Sequence, residues 1–139
     1  MGRTIGIDYG TRRIGLAVAD PRGRIASPAG TLQASGSAHI DTDLILRWAA
    51  DNDASRIVLG LPVSMDGSDS DQTRLTRALA DELRKRSPLP VELWDERLSS
   101  FQADLLLDSA DVRPSRKKKL RDALAAQVVL QSYLDAHQQ

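Results

Sequence analysis

The sequence predicts an α/β protein with a mixed five-stranded sheet and helices on both faces, and three observations carry that prediction. Apolar residues of period two open the chain, and after residue 36 the apolar spacing switches to threes and fours. Two later apolar runs, each closed by a turn signal, then alternate with helical stretches. Strands joined by short turns read as an antiparallel meander, and strands separated by helices read as parallel.

Taken in order, TIGIDYGTRRIGLAVAD, Thr4 to Asp20, is a strand, a tight turn and a strand. Ile5 and Ile7, then Ile14, Leu16 and Val18, supply the alternation, and Gly10 supplies the freedom that a reversal needs. Pro21-Arg22-Gly23 makes a turn into a weaker strand from Arg24 to Leu32. Pro28, which has no N–H for a ladder, assigns that strand to the sheet edge. Gly36-Ser37 leads into a helix with Ile40, Leu44, Ile45, Trp48 and Ala49 on one face. RIVLGL, Arg56 to Leu61, is a continuous apolar run ended by Pro62, the pattern of a central parallel strand. After the polar loop Ser64 to Asp71 comes a helix with Leu75, Leu79 and Leu83 inward and Arg74, Arg77, Arg84, Lys85 and Arg86 outward, ended by Ser87-Pro88. VELW, Val91 to Trp94, is the last strand. Ser99 or Ser100 can cap a helix to about Ala110, Asp111 to Ser115 loops around Pro114, and a final helix starts at Arg116.

At 139 residues and 41% hydrophobic, the chain should form one compact domain, residues 1–139. Its formal net charge is zero, so a nucleic-acid partner would have to be gripped by a local basic patch. The absence of cysteine removes disulfides, thiolate zinc sites and thiol nucleophiles. Only His39 and His137 exist, which argues against a Ser-His triad or a histidine zinc site. No apolar run approaches the roughly 20 residues that span a bilayer, and the start has no leader pattern, so a cytoplasmic protein without membrane contact is expected. Carboxylates are the chemical resource that remains.

Asp8 closes an apolar strand beside a glycine turn, where a carboxylate is costly unless water, a metal or a donor satisfies it; capping the turn is its simpler role. Ligand sites in such sheets lie beyond the carboxyl ends of the parallel strands, where Asp8 and Asp95-Glu96 both fall. Asp122 stands one turn inside the last helix on a face with Ala125, Ala126, Val129 and Tyr133, and the alanines would let that helix approach the sheet. Taken singly, Asp122 reads more readily as a dipole or ion-pair partner of the neighbouring basic turn. Three acids at one sheet edge repel unless hard divalent cations neutralise them, and magnesium or manganese on such oxygens implies phosphoryl transfer to water. Arg12, Arg13, Arg97, Lys117, Lys118 and Lys119 adjoin the acids in sequence and could grip phosphates, or could form solvated charge runs. Aromatic residues are few, so recognition should rest on backbone and shape.

The stretches DYGTRRIGLAVAD, GLPVSMDGS, DERLSS and KKKLRDALAAQVVLQSYLD resemble the successive motifs of the YqgF family, also called RuvX, described as Holliday junction resolvases. The resemblance covers the chain nearly end to end. It implies a ribonuclease-H-like fold related to RuvC and a two-metal-ion nuclease active in 5′-end processing of precursor 16S ribosomal RNA, in Holliday junction resolution, or in both. It carries catalytic and Mg2+ or Mn2+ roles to Asp8, Glu96 and Asp122. Adjacent strand residues face opposite ways, so one of Asp95 and Glu96 should be a ligand; the resemblance selects Glu96 and leaves Asp95 a supporting role. Implied partners are structured RNA, branched DNA and ribosomal precursor particles, and the two-fold symmetry of a junction would suit a homodimer. Two rivals stand against this reading. A non-catalytic RNA-binding assembly factor could retain the same acids, whereas an ATP-dependent protein of the actin and hexokinase type needs two such lobes, more than 139 residues provide.

Overall fold

The computed structural model describes residues 2–98 and 114–137. Strands β1 (Arg3–Tyr9), β2 (Arg13–Ala19), β3 (Ala26–Gln33), β4 (Ala54–Leu61) and β5 (Val91–Asp95) form one sheet in the order β3-β2-β1-β4-β5. The first three pair antiparallel, and β1, β4 and β5 run parallel, as the meander and crossover pattern predicts. The helices are α1 (Ala38–Asp51), α2 (Asp71–Arg86) and α3 (Pro114–Ala136). The helix expected to start at Ser99 or Ser100 lies outside the described residues. Among those residues, no helix is long and apolar enough to cross a membrane.

Alternation divides the apolar residues between two faces. Ile5, Ile7, Ile14, Leu16, Ile57 and Leu59 point to α1 and α2 and pack with Ile45, Leu79 and Leu83. Ala17, Ala19 and Val58 point the other way, onto Ala126, Val129, Leu130 and Tyr133 of α3. The α3 face of the sheet is built of small residues, so that helix sits close. A Cβ on Gly6 would stand 2.8 Å from the Leu130 Cβ.

Three helical details depart from the expected pattern, each for a polar reason. In α1 the buried line is Asp41, Thr42, Ile45 and Ala49, and Ile40 is half exposed. Asp41 is drawn inward because Oδ2 accepts the Tyr9 hydroxyl at 2.5 Å and Oδ1 accepts the Ser35 amide at 2.8 Å. In α2, Thr73 and Thr76 take the inner line ahead of Leu79, and Leu75 faces solvent. Their hydroxyls donate to the Pro62 and Gln72 carbonyls, so each buried O–H has an acceptor. The last helix begins at Pro114 rather than Arg116, in a position where proline's missing N–H costs nothing.

The Tyr9 and Asp41 pair ties the end of β1 to α1. Tyr9→Phe removes the donor and leaves a buried carboxylate short of one hydrogen bond. We expect a loss of about 1–3 kcal/mol, read from the urea midpoint; an unchanged midpoint would show that water replaces the phenol.

Candidate active site

Asp8 stands one residue before the end of β1, on the face that α3 covers. Register places it between two glycines. Asp8 pairs with Gly15 of β2, and the β1–β4 ladder that pairs Ile7 with Leu59 brings Gly60 to its other side. Gly60 in turn pairs with Trp94 of β5, two residues before Glu96. Each glycine makes room for an acid. A Cβ on Gly60 would lie 2.5 Å from Glu96 Oε1, and a Cβ on Gly15 would collide with the Asp122 backbone carbonyl. The two glycines are the site residues that reasoning on acids and bases passed over. Their signal was present as a glycine inside each apolar strand run, the mark of a close approach.

Glu96, the first residue past β5, turns its carboxyl onto Asp8. Burial pushes the Glu96 carboxyl up to about 10, with the Asp8 hydrogen bond and charge adding to the shift. Burial also raises Asp8, the hydrogen bond from Glu96 opposes that rise, and the nearby charge of Asp122 adds to it. Both carboxyls are thus shifted toward the protonated form, and the two are hydrogen-bonded to each other. Asp122, on the α3 backbone against Gly15, accepts Arg13 Nε at 2.6 Å; both side chains are about one quarter exposed. Among the described residues no three acids or histidines form a ready metal cage, because Asp122 is turned to Arg13.

Asp95 is held away from this pair. It accepts the Arg97 backbone amide at 2.9 Å and the guanidinium at 2.6 Å, and these bonds keep its carboxyl below the usual range. Arg97 is thus clasped by Asp95 and not directed at Glu96. Arg12 and Lys119 are exposed at a cleft of about 510 Å³ that Arg13 also lines. Lys117 and Lys118 have side chains outside the described residues.

The donor chemistry fits a hard divalent cation. All three acids offer oxygen, the missing side chain at Gly60 lets Glu96 close over the strand toward Asp8, and a cation could take the place of the protons that burial favours on Asp8 and Glu96.

The chain is similar to known proteins over nearly its whole length. A Myxococcus xanthus protein named "Putative pre-16S rRNA nuclease" is 41% identical over 135 residues, covering 97% of this chain and 89% of its own. One of the same name from Anaeromyxobacter dehalogenans is 44% identical over 133 residues, 96% of each. The Fowlpox virus resolvase solved with Holliday junction DNA superposes with a TM-score of 0.61 at 12% identity over 99% of both chains. Thermus thermophilus RuvC with its junction substrate gives 0.54 at 16% identity, over 98% of this chain and 95% of that one. At those identities the likeness is one of fold, the ribonuclease-H-like fold. The RuvX family model, described as Holliday junction resolvase, matches residues 2–136, and with relatives of this identity over almost the whole length, the chain belongs to the RuvX family.

Proposed function

We propose that this protein is a divalent-cation-dependent nuclease that hydrolyses phosphodiester bonds at the Asp8, Glu96 and Asp122 cluster, with 5′-end processing of precursor 16S ribosomal RNA as its work. The observation that carries the reading is the Asp8–Glu96 pair, two hydrogen-bonded carboxyls brought together where the parallel strands β1 and β5 end. A structural role would favour a neutral pair of side chains there, since unneutralised buried charge is costly. The substrate follows from the curated relatives' names; the family model's description favours a second reading, resolution of four-way DNA junctions.

Magnesium or manganese bound there would supply Lewis acidity toward the phosphoryl oxygens and lower the pKa of a bound water. Asp8 and Glu96 would bind it in competition with protons, so affinity would rise with pH. Asp122 would complete the set if it gave up its Arg13 contact, and the guanidinium would then be available to the substrate phosphate. Gly60 and Gly15 fix the distances by letting Glu96 and α3 approach without intervening side chains. Asp95 holds the Glu96 turn through Arg97 and takes no part in the chemistry.

The test is cleavage of a precursor 16S transcript and a four-way junction by purified protein in manganese, in chelator, and as the Asp8→Asn variant. Manganese-dependent cutting of the transcript, abolished by Asp8→Asn, is the expected outcome. A folded wild type that cuts neither substrate returns the protein to a binding role.

A further inference from the structure

Bulge geometry on the edge strand shapes a surface that the acidic cluster does not use. Between Leu16 and Ala17 of β2 the register shifts, so that Gly30 pairs with Leu16 and Pro28 with Ala17. Gly30 sits at φ +99° with nothing near a Cβ position, a backbone state that other residues rarely adopt. The extra residue brings both Thr31 and Pro28 onto the α3 side of the sheet, as bulges near functional sites commonly do. Two clefts result. One, of about 510 Å³, is polar and lined by Thr11, Arg12, Arg13, Gln33 and others; the second, of about 380 Å³, is walled by Pro28, Leu120 and Ala123. Thr31 and Lys119 line both, so the two form one continuous groove leading away from the Arg13–Asp122 pair.

The charges in this groove are unspent. Arg13 is committed to Asp122, but among the described residues the Arg12 guanidinium and the Lys119 ammonium have no ionic partner, and both are exposed. Arg12 toward one end, the Thr31 hydroxyl and the Lys119 ammonium where the two clefts meet, and an apolar wall at the other end match a nucleotide chain laid lengthwise, with phosphates on Arg12 and Lys119 and a base against Leu120 and Pro28. A paired base has no free face to offer that wall, so the groove discriminates against duplex.

From this juxtaposition we infer that the β3–α3 groove is a subsite for the single-stranded segment adjoining the cut. The inference rests on the proposed nuclease reading only for where that strand leads. Sequence readout is weak there, because among the described residues no aromatic side chain lines either cleft.

Binding is therefore measured in chelator, without cleavage, by fluorescence anisotropy. The probes are a labelled oligouridine strand and the same strand annealed to oligoadenosine. The single strand is expected to bind at least about tenfold tighter. In the Arg12→Ala, Lys119→Ala double variant, the slope of log affinity against log salt should fall by roughly 0.7 per cation removed. Leu120→Asn, which removes apolar surface without changing charge, should weaken the strand severalfold at an unaltered slope. Native thermal midpoints establish that each variant is folded. Equal affinity for strand and duplex, or a double variant with the wild-type slope, would overturn the subsite. Failure of the cleavage test would sink the nuclease reading and leave these binding results to stand by themselves.

Discussion

Glu96→Gln is expected to remove metal-dependent cleavage while making the protein more stable in chelator. Glutamine keeps the shape of the side chain and its hydrogen bond to Asp8 but cannot neutralise a cation, so activity should fall by at least about 10²–10³-fold. The stability gain has the opposite sign for the same reason. In wild type, the folded Glu96 carboxyl titrates near 10 instead of its usual 4.5, so between those values the native state binds more protons than the unfolded chain. Stability contributed by this group is complete below about pH 4.5 and declines as pH rises toward 10. The glutamine variant lacks that decline, and at neutral pH its urea midpoint should exceed wild type by on the order of 1 kcal/mol or more. Added magnesium should flatten the wild-type profile and leave the variant's unchanged. Asp95→Asn is the matching control: its carboxylate orients a turn, so a loss of about 10- to 100-fold is the most expected. An active Glu96→Gln beside a dead Asp95→Asn would reverse the two roles.

Gly15→Ala should be the most disruptive small substitution in the described residues. The new methyl meets the Asp122 backbone, which has no rotamer to yield, so α3 must lift from β2 or the strand must bow. Overpacking of this kind costs about 1–3 kcal/mol, and displacing α3 also moves Asp122 away from Asp8. Denaturant midpoint and cleavage should fall together. Gly67→Ala offers the contrast: at φ +87° with open space around it, the strain is about 1–2 kcal/mol and the site is untouched. If Gly15→Ala were as stable as wild type and fully active, the close approach of α3 would not be what positions Asp122.

The strands and their order were legible in the sequence because period two, a proline at the edge and a proline-terminated apolar run each have one physical meaning. The acids were legible as a group because three of them fell near one sheet edge. Their partners were not. Arg97 follows both Asp95 and Glu96, and only the turn after β5 determines that Asp95 clasps it. Arg13 reads as a phosphate ligand until α3 lands beside it and Asp122 takes its Nε. The inner faces of α1 and α2 were misjudged where a buried Asp41 and two threonines outcompete Ile40 and Leu75, since apolar periodicity assigns no weight to a polar group that finds its partner across the fold.

The helix that brings Asp122 to the sheet follows all five strands in the chain. Arg13 and Asp122 are separated by 109 positions, and every apolar contact on the α3 face awaits residues synthesised after the sheet's own strands. The meander can close early through neighbouring turns, whereas docking α3 must bring together residues 109 positions apart. It follows that a growing polypeptide carries Asp8 and Glu96 before their third acid is made, and that docking of α3 on the sheet is the step that brings all three together.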